Sequence, residues 1–276
     1  MTATDIKENI IPYLGETPPY MSIPENILFR DHTIETEIRD WNFENENFSD
    51  LVKLIFSLGS LSLYKILNDE TREKIYFLGE KIRIRKVSYR EPTSITITSK
   101  SILESNRKGK THTHIKDSYS GELLYSAELD YYIITRAAFE LFYKDIYSTV
   151  PVEYHDKNLP QSEIIYTENS QHFIISTEPF TPNQCKGHFE NYPIVPFVYI
   201  TNCILKEIFN FLTTGSRYEI ESFEAYASNA LPTGITFRTE VFHQQYLKNL
   251  FYFKCEIKDT SGNPYGVIIF NIKSKK

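Results

Sequence analysis

The sequence predicts an α+β chain built from two diverged copies of one unit, each a long buried helix wrapped by an antiparallel sheet. Two observations carry this. One is an internal repeat. IKDSYSGELLYSAELDYYI begins at Ile115 and IKDTSGNPYGVIIFNIK at Ile257, 142 residues later; PTSITITSK begins at Pro92 and PTGITFRTE at Pro232, 140 later; NFEN begins at Asn42 and HFEN at His188, 146 later. Three matches in one order, drifting only by loop-sized amounts, point to a duplication. The other is a pair of helical segments that are apolar nearly all round, one in each half, which must be buried on most sides.

Each element follows from its residues. The first unit opens with a strand over 27–38 (ILFRDHTIETEI) and the second with one over 163–177 (EIIYTENSQHFIIST). The first helix starts near Ser49, a good N-cap, and runs through 51–67; the second starts at Pro196, favoured at a first helical position, and runs through 197–212. Unit one then offers KIRIRKVSY, SITITSKSIL, KTHTHIKDS and LLYSAELDYYI. Unit two offers EIESFEAYAS, GITFRTEVF, LFYFKCEIKD and YGVIIFNIK. Their alternation is that of half-buried strands, and SG or SGN supplies hairpin turns. Strand, long helix, then a run of antiparallel strands is the order of the hot-dog fold. Two in tandem make a double hot-dog, a pseudo-dimer within one chain. The expected divisions are a Pro-rich arm laid over the surface at 1–25, repeat 1 at 26–134, a connecting helix and linker at 135–159, and repeat 2 at 160–276.

Composition excludes several classes. The net charge of −6 argues against a nucleic-acid binder, which would show a basic face. Three cysteines, Cys185, Cys203 and Cys255, are too few and too scattered for a disulfide framework or a zinc site, and suit a reducing cytoplasm. MTATDIKENI lacks the basic and apolar regions of a signal peptide. The most apolar run, 197–212, contains Asn202, Lys206, Glu207 and Asn210 and should not span a bilayer. No phosphate loop, GxSxG elbow or HExxH occurs.

One stretch carries chemistry. Gly187-His188-Phe189, with Pro193 five and Pro196 eight residues after the histidine, resembles the signature of 3-hydroxyacyl-ACP dehydratases. The resemblance implies that His188 takes the C2 proton of a 3-hydroxyacyl thioester on ACP or CoA, in fatty-acid or polyketide-type synthesis. Backbone N–H groups of Phe197 and Val198 would hold the carbonyl at the helix N-terminus. It implies no metal or organic cofactor. Two departures stand out. The family's helix acid falls on Asn202, and the equivalent position of the first helix is Phe56; the other pseudo-site pairs Asn42 with Asn202. The helix-opening Gly is Phe197. Gly187, Phe189, Pro196, Phe197, Val198, Asn202, Phe56 and Ser60 are therefore the expected substrate-lining residues around a catalytic His188.

Other residues have plainer readings. Asp50 or Ser60 could replace the missing acid, although Asp50 also favours the helix dipole and Ser60 is a small core residue. Cys185 and Cys203 read as buried inert thiols before nucleophiles. His112 and His114 alternate on a polar strand face without a third ligand. Residues 105–112 form a basic hairpin that could touch an acidic carrier, and Trp41 is a packing residue. The competing functions are a catalytically weakened hot-dog protein that binds acyl chains or partners a complete dehydratase as a homo- or hetero-oligomer, and a hot-dog thioesterase or acyl transferase.

Overall fold

A computed structural model describes residues 3–42, 48–67, 73–212 and 217–275. The chain divides into two compact units: residues 1–149 with Gly187–Tyr192, and Val150–Lys186 with Pro193–Lys276. The His188 segment, Gly187–Tyr192, therefore groups with the first unit although it lies between elements of the second along the chain.

In the first unit, helix α1 (Ala3–Asn9) precedes strands β1 (Ile27–Arg30) and β2 (Thr33–Arg39). The long helix α2 (Phe48–Leu67) follows, then β3 (Ile75–Lys86), β4 (Ser94–Ser105), β5 (Lys108–Asp117), β6 (Leu123–Thr135) and helix α3 (Arg136–Phe142). The strands pair antiparallel in the order β1-β2-β4-β5-β6-β3. In the second unit β7 (Ser162–Tyr166) and β8 (His172–Thr177) precede helix α4 (Phe197–Phe211) and β9 (Arg217–Ala227), β10 (Phe237–Leu247), β11 (Leu250–Asp259) and β12 (Pro264–Lys275). Their order is β7-β8-β10-β11-β12-β9, the same path as in the first unit.

The repeated Ile-Lys-Asp is explained by its turn. Asp117 accepts from Tyr119 N–H at 2.9 Å and Ser120 Oγ at 2.6 Å, and Asp259 accepts from Ser261 N–H at 2.8 Å and Asn263 N–H at 2.9 Å. Gly121 (φ 73°) and Gly262 (φ 88°) complete those turns in the left-handed region. The aspartates and glycines are thus kept for the same reason in both copies. Of the 42–45 match, only Asn42 lies within the described residues.

Three expectations change. The single opening strand of each unit is a hairpin. In the first, Arg30 pairs with Thr33 across Asp31-His32, with Asp31 at φ 48°. In the second, Tyr166 pairs with Phe173 around a loop in which Asn169 Oδ1 accepts from Gln171 N–H at 2.9 Å. Ser49 does not cap α2: it lies inside the first turn, and its Oγ is buried without a partner among the described residues. The segment before β1 is not a surface arm. Ile6, Ile10, Ile11, Leu14, Tyr20 and Met21 are all buried, Ile6 on α1 and Ile10 and Ile11 in the turns that follow it.

Both long helices are buried as their apolar composition requires, and α2 lies chiefly on β4. No helix among the described residues is long and apolar enough to cross a membrane.

Candidate functional site

The His188 loop is held by the segment preceding β1. Glu16 and His188 form an antiparallel bridge, and Thr17 N–H donates to Gly187 O at 2.7 Å. Gly15 N–H donates to Ile75 O at 2.9 Å, anchoring the same segment to β3. Ser22 N–H donates to Ser57 Oγ on α2 at 3.0 Å. Gly187 sits at φ 90°, and a Cβ there would collide with the Thr17 carbonyl oxygen and crowd the Tyr20 nitrogen. The glycine of the Gly-His-Phe motif is thus fixed by the arm as much as by its own turn.

Phe189 also has a positive φ, 55°, where a bulky residue is strained. Its ring is locked by edge contacts to Tyr76 at 5.6 Å and Phe139 at 5.0 Å, and Tyr76 stacks on Phe139 at 3.7 Å. Lys74 pairs with Glu190 at 2.9 Å, and Ser148 N–H donates to Asn191 O at 2.8 Å. Surroundings that over-determine a strained loop are what keep it in place, and here they aim the imidazole inward.

There the imidazole meets a carboxylate. His188 Nε2 lies 3.7 Å from Glu16 Oε1, with the two side chains 8% and 13% exposed. The distance is that of an ion pair, too long for a hydrogen bond. Tyr20 meets the imidazole edge-on at 4.7 Å, and Lys53 sits over the Tyr20 ring at 5.6 Å while donating to Pro19 O at 3.3 Å. Burial pushes the Glu16 carboxyl up from its usual range to about 8, and the Lys53 ammonium pulls it partly back. Tyr131 is raised well above its ordinary value by burial and then by the Glu16 charge, against hydrogen bonds from Ser60 and Thr111. Its hydroxyl donates to Phe56 O at 3.1 Å.

The sequence expectations divide accordingly. Gly187, His188 and Phe189 come together in the first unit, and Phe56 and Ser60 meet Tyr131 on the underside of α2. Pro196, Phe197, Val198 and Asn202 open α4 in the second unit, where Thr201 Oγ1 donates to Phe197 O at 2.9 Å and the Phe197 ring lies over Gly266. The carboxyl nearest His188 belongs to Glu16, a residue that sequence reasoning missed; positions 56 and 202 carry Phe and Asn. Asp50 is exposed on the first turn of α2, and Ser60 is buried against Tyr131. Burial pushes the Cys185 and Cys203 thiols up to about 12, which makes them inert, as expected. His112 and His114 are exposed on β5, and no metal-ligating cluster occurs among the described residues. The basic hairpin is internally paired, Lys110 to Glu104 at 2.6 Å and Lys108 to Glu80 at 3.7 Å. Trp41 lines a groove of about 920 Å³ with Leu54 and Ile38.

An open groove of about 1020 Å³ runs beside the His188 loop, lined by Tyr13, Tyr76, Arg136, Tyr147, Glu190 and Tyr192. It reaches the loop's flank; His188 itself is roofed by 16–20 and does not line it.

No family model matches the chain, and no curated protein matches it by sequence. Solved structures do match it. A 12:0-ACP thioesterase from Umbellularia californica superimposes with a TM-score of 0.60 at 9% identity, covering 88% of this chain and 95% of that one. An acyl-CoA thioesterase II from Mycobacterium marinum gives 0.54 at 5% identity, covering 91% and 94%. A protein described as having a hot dog fold, from Alicyclobacillus acidocaldarius, gives 0.50 at 7% identity, covering 91% and 96%. At such identities the likeness establishes the hot-dog fold and nothing finer.

Proposed function

We propose that this chain is a double hot-dog enzyme that hydrolyses acyl thioesters carried on ACP or CoA, with His188 as general base and Glu16 as the carboxylate that holds it. The observation carrying this reading is the shielded His188–Glu16 contact, 3.7 Å long. A base set beside a buried carboxyl, close enough for the pair to tighten into a hydrogen bond when substrate is bound, is an arrangement that activates a weak nucleophile such as water. In the first step His188 takes a proton from water while the water oxygen adds to the thioester carbonyl carbon. The C–S bond then breaks, the imidazolium returns its proton to the departing sulfur, and carboxylic acid and thiol are the products. Ionised Glu16 stabilises the transient imidazolium in a site where charge is poorly screened. That two of the matched structures are thioesterases supports hydrolysis over the dehydration that the Gly-His-Phe motif suggests.

Dehydration is the second reading, favoured by one observation: a carboxyl titrating at about 8 is protonated at neutral pH. Neutral Glu16 would give its proton to the leaving C3 hydroxyl while His188 takes the C2 proton, yielding water and an enoyl thioester.

The two readings respond oppositely to pH. Hydrolysis needs ionised Glu16, so kcat/KM rises as pH passes through about 8; dehydration needs the protonated form, so it falls over the same interval. Purified protein is given acyl- and 3-hydroxyacyl-pantetheine thioesters, and thiol and enoyl product are followed from pH 5 to 10. We expect thiol release that rises toward pH 8 and is lost in both His188→Ala and Glu16→Gln. Enoyl formation that declines above pH 8 establishes the second reading. Neither product, with acyl binding retained, would mark a catalytically silent binder.

A further inference from the structure

In the first unit the space between α2 and its sheet, directly behind Glu16, is filled by three packings of one kind. The Tyr131 hydroxyl lies where a Cβ on Gly59 would be, the Phe56 ring where a Cβ on Gly79 would be, and the Leu63 methyls where a Cβ on Gly109 would be. Each is a large side chain seated on a glycine, so helix and sheet approach to the limit that backbone allows. Around them the seam carries buried hydroxyls. Ser99 and Thr113 share a hydroxyl hydrogen bond of 2.7 Å, and Ser101 and Thr111 one of 3.3 Å, with all four at most 1% exposed. An alkyl chain sliding under α2 would have to expel Phe56 or Tyr131 and part these hydroxyl pairs, leaving buried polar groups unsatisfied.

We infer that the acyl group accepted at the His188–Glu16 site is short, about four carbons or fewer, and that Phe56 and Tyr131 set that limit. This rests on the acyl-thioester reading above and names the substrate class for the same site. Phe56 seals the seam beside β3, meeting Tyr131 edge-on at 5.9 Å. Tyr131 closes it from β6. The chain length of the preferred substrate is therefore a property of two side chains on one unit.

The test measures kcat/KM for acetyl-, butyryl-, octanoyl- and dodecanoyl-pantetheine thioesters. The expected profile peaks at acetyl or butyryl and is lower by about tenfold or more at dodecanoyl, since pocket misfits of this kind cost roughly 10- to 200-fold. Phe56→Ala, which empties the space over Gly79, should raise dodecanoyl relative to butyryl by about tenfold. Phe56→Leu, closer in volume and less apt to unfold, should move the ratio the same way by less. Both variants are first checked for a native-like unfolding transition. A native enzyme that prefers dodecanoyl, a flat profile, or Phe56 variants that lower every chain length equally overturns the inference. If no chain length turns over, the hydrolytic reading fails while this one is still tested. Calorimetric binding of the corresponding S-alkyl pantetheine thioethers then ranks butyl above dodecyl if the seam is closed, and dodecyl above butyl if it is open.

Discussion

The two helix–sheet seams follow one strand order and are built from opposite materials. Under α2 the first unit sets Gly59 and Ser60 against the phenol of Tyr131, with Thr111 of β5 beside Gly59, while Ser57 Oγ accepts from Ser22 N–H. The second unit places Cys203, Ile204, Leu205 and Ile208 on α4, with Phe223, Phe253 and Phe270 fully buried in its sheet. Phe211 at the end of α4 stacks on Phe173 at 4.6 Å and meets Phe253 edge-on at 6.3 Å. The second seam gains its stability from apolar area and aromatic contact. The first gives up part of that area for side chains that hydrogen-bond across the gap. The second unit is thus packed mainly by apolar and aromatic side chains, while the first keeps buried hydroxyls in its interior, near a buried carboxyl.

Substitutions in each seam sharpen or break that contrast. The largest effect is expected in the second: Phe253→Ala should cost about 3–5 kcal/mol, read from urea unfolding, because it leaves a cavity that aromatic neighbours cannot collapse into. A cost under 1 kcal/mol would mean that aromatic packing does not hold the second core together. In the first unit, Gly187→Ala must accept a positive φ and a collision with the Thr17 carbonyl. We expect a loss of about 2–3 kcal/mol together with loss of turnover. Unchanged protease resistance of the first 25 residues would refute the idea that this glycine locks the arm.

Glu16→Gln separates function from stability. The native carboxyl titrates at about 8 instead of near 4.5, so between those values the folded state holds a proton that the unfolded chain has released. Native stability therefore falls as pH rises from about 4.5 to about 8, and the glutamine variant is spared that loss. The variant should gain on the native protein across this window by up to about 5 kcal/mol, and a gap that does not change with pH would show that Glu16 is not held neutral. The smallest effect belongs to Tyr131→Phe, which removes the hydroxyl bound to Phe56 O and costs about 1 kcal/mol. A neutral or stabilising result would indicate that the hydroxyl seam contributes no stability.

How much of this could be read in advance depended on range along the chain. The duplication was legible because Asp117 with Gly121 and Asp259 with Gly262 are local turn devices that constrain sequence directly. The strands after each helix were legible from alternation. The opening hairpins were not: Asp31-His32 carries no glycine or Asn-Gly pair, and aspartate reaches the left-handed region without announcing it. The site was half legible. His188 stood in a recognisable motif, but its carboxylate lies 172 positions upstream, where no helical or strand period connects them. A signal existed in the spacing of Ile6, Ile10 and Leu14, which marks the arm as buried and so makes the polar residue two places after Leu14 worth testing. Four prolines drew attention away from it.

Because the carboxylate is carried ahead of the first strand, it belongs to no element that sheet-based superposition aligns. On the function proposed above, a chimera that exchanges sheets would need to carry the first twenty-two residues along with them, so that His188 keeps Glu16 beside it.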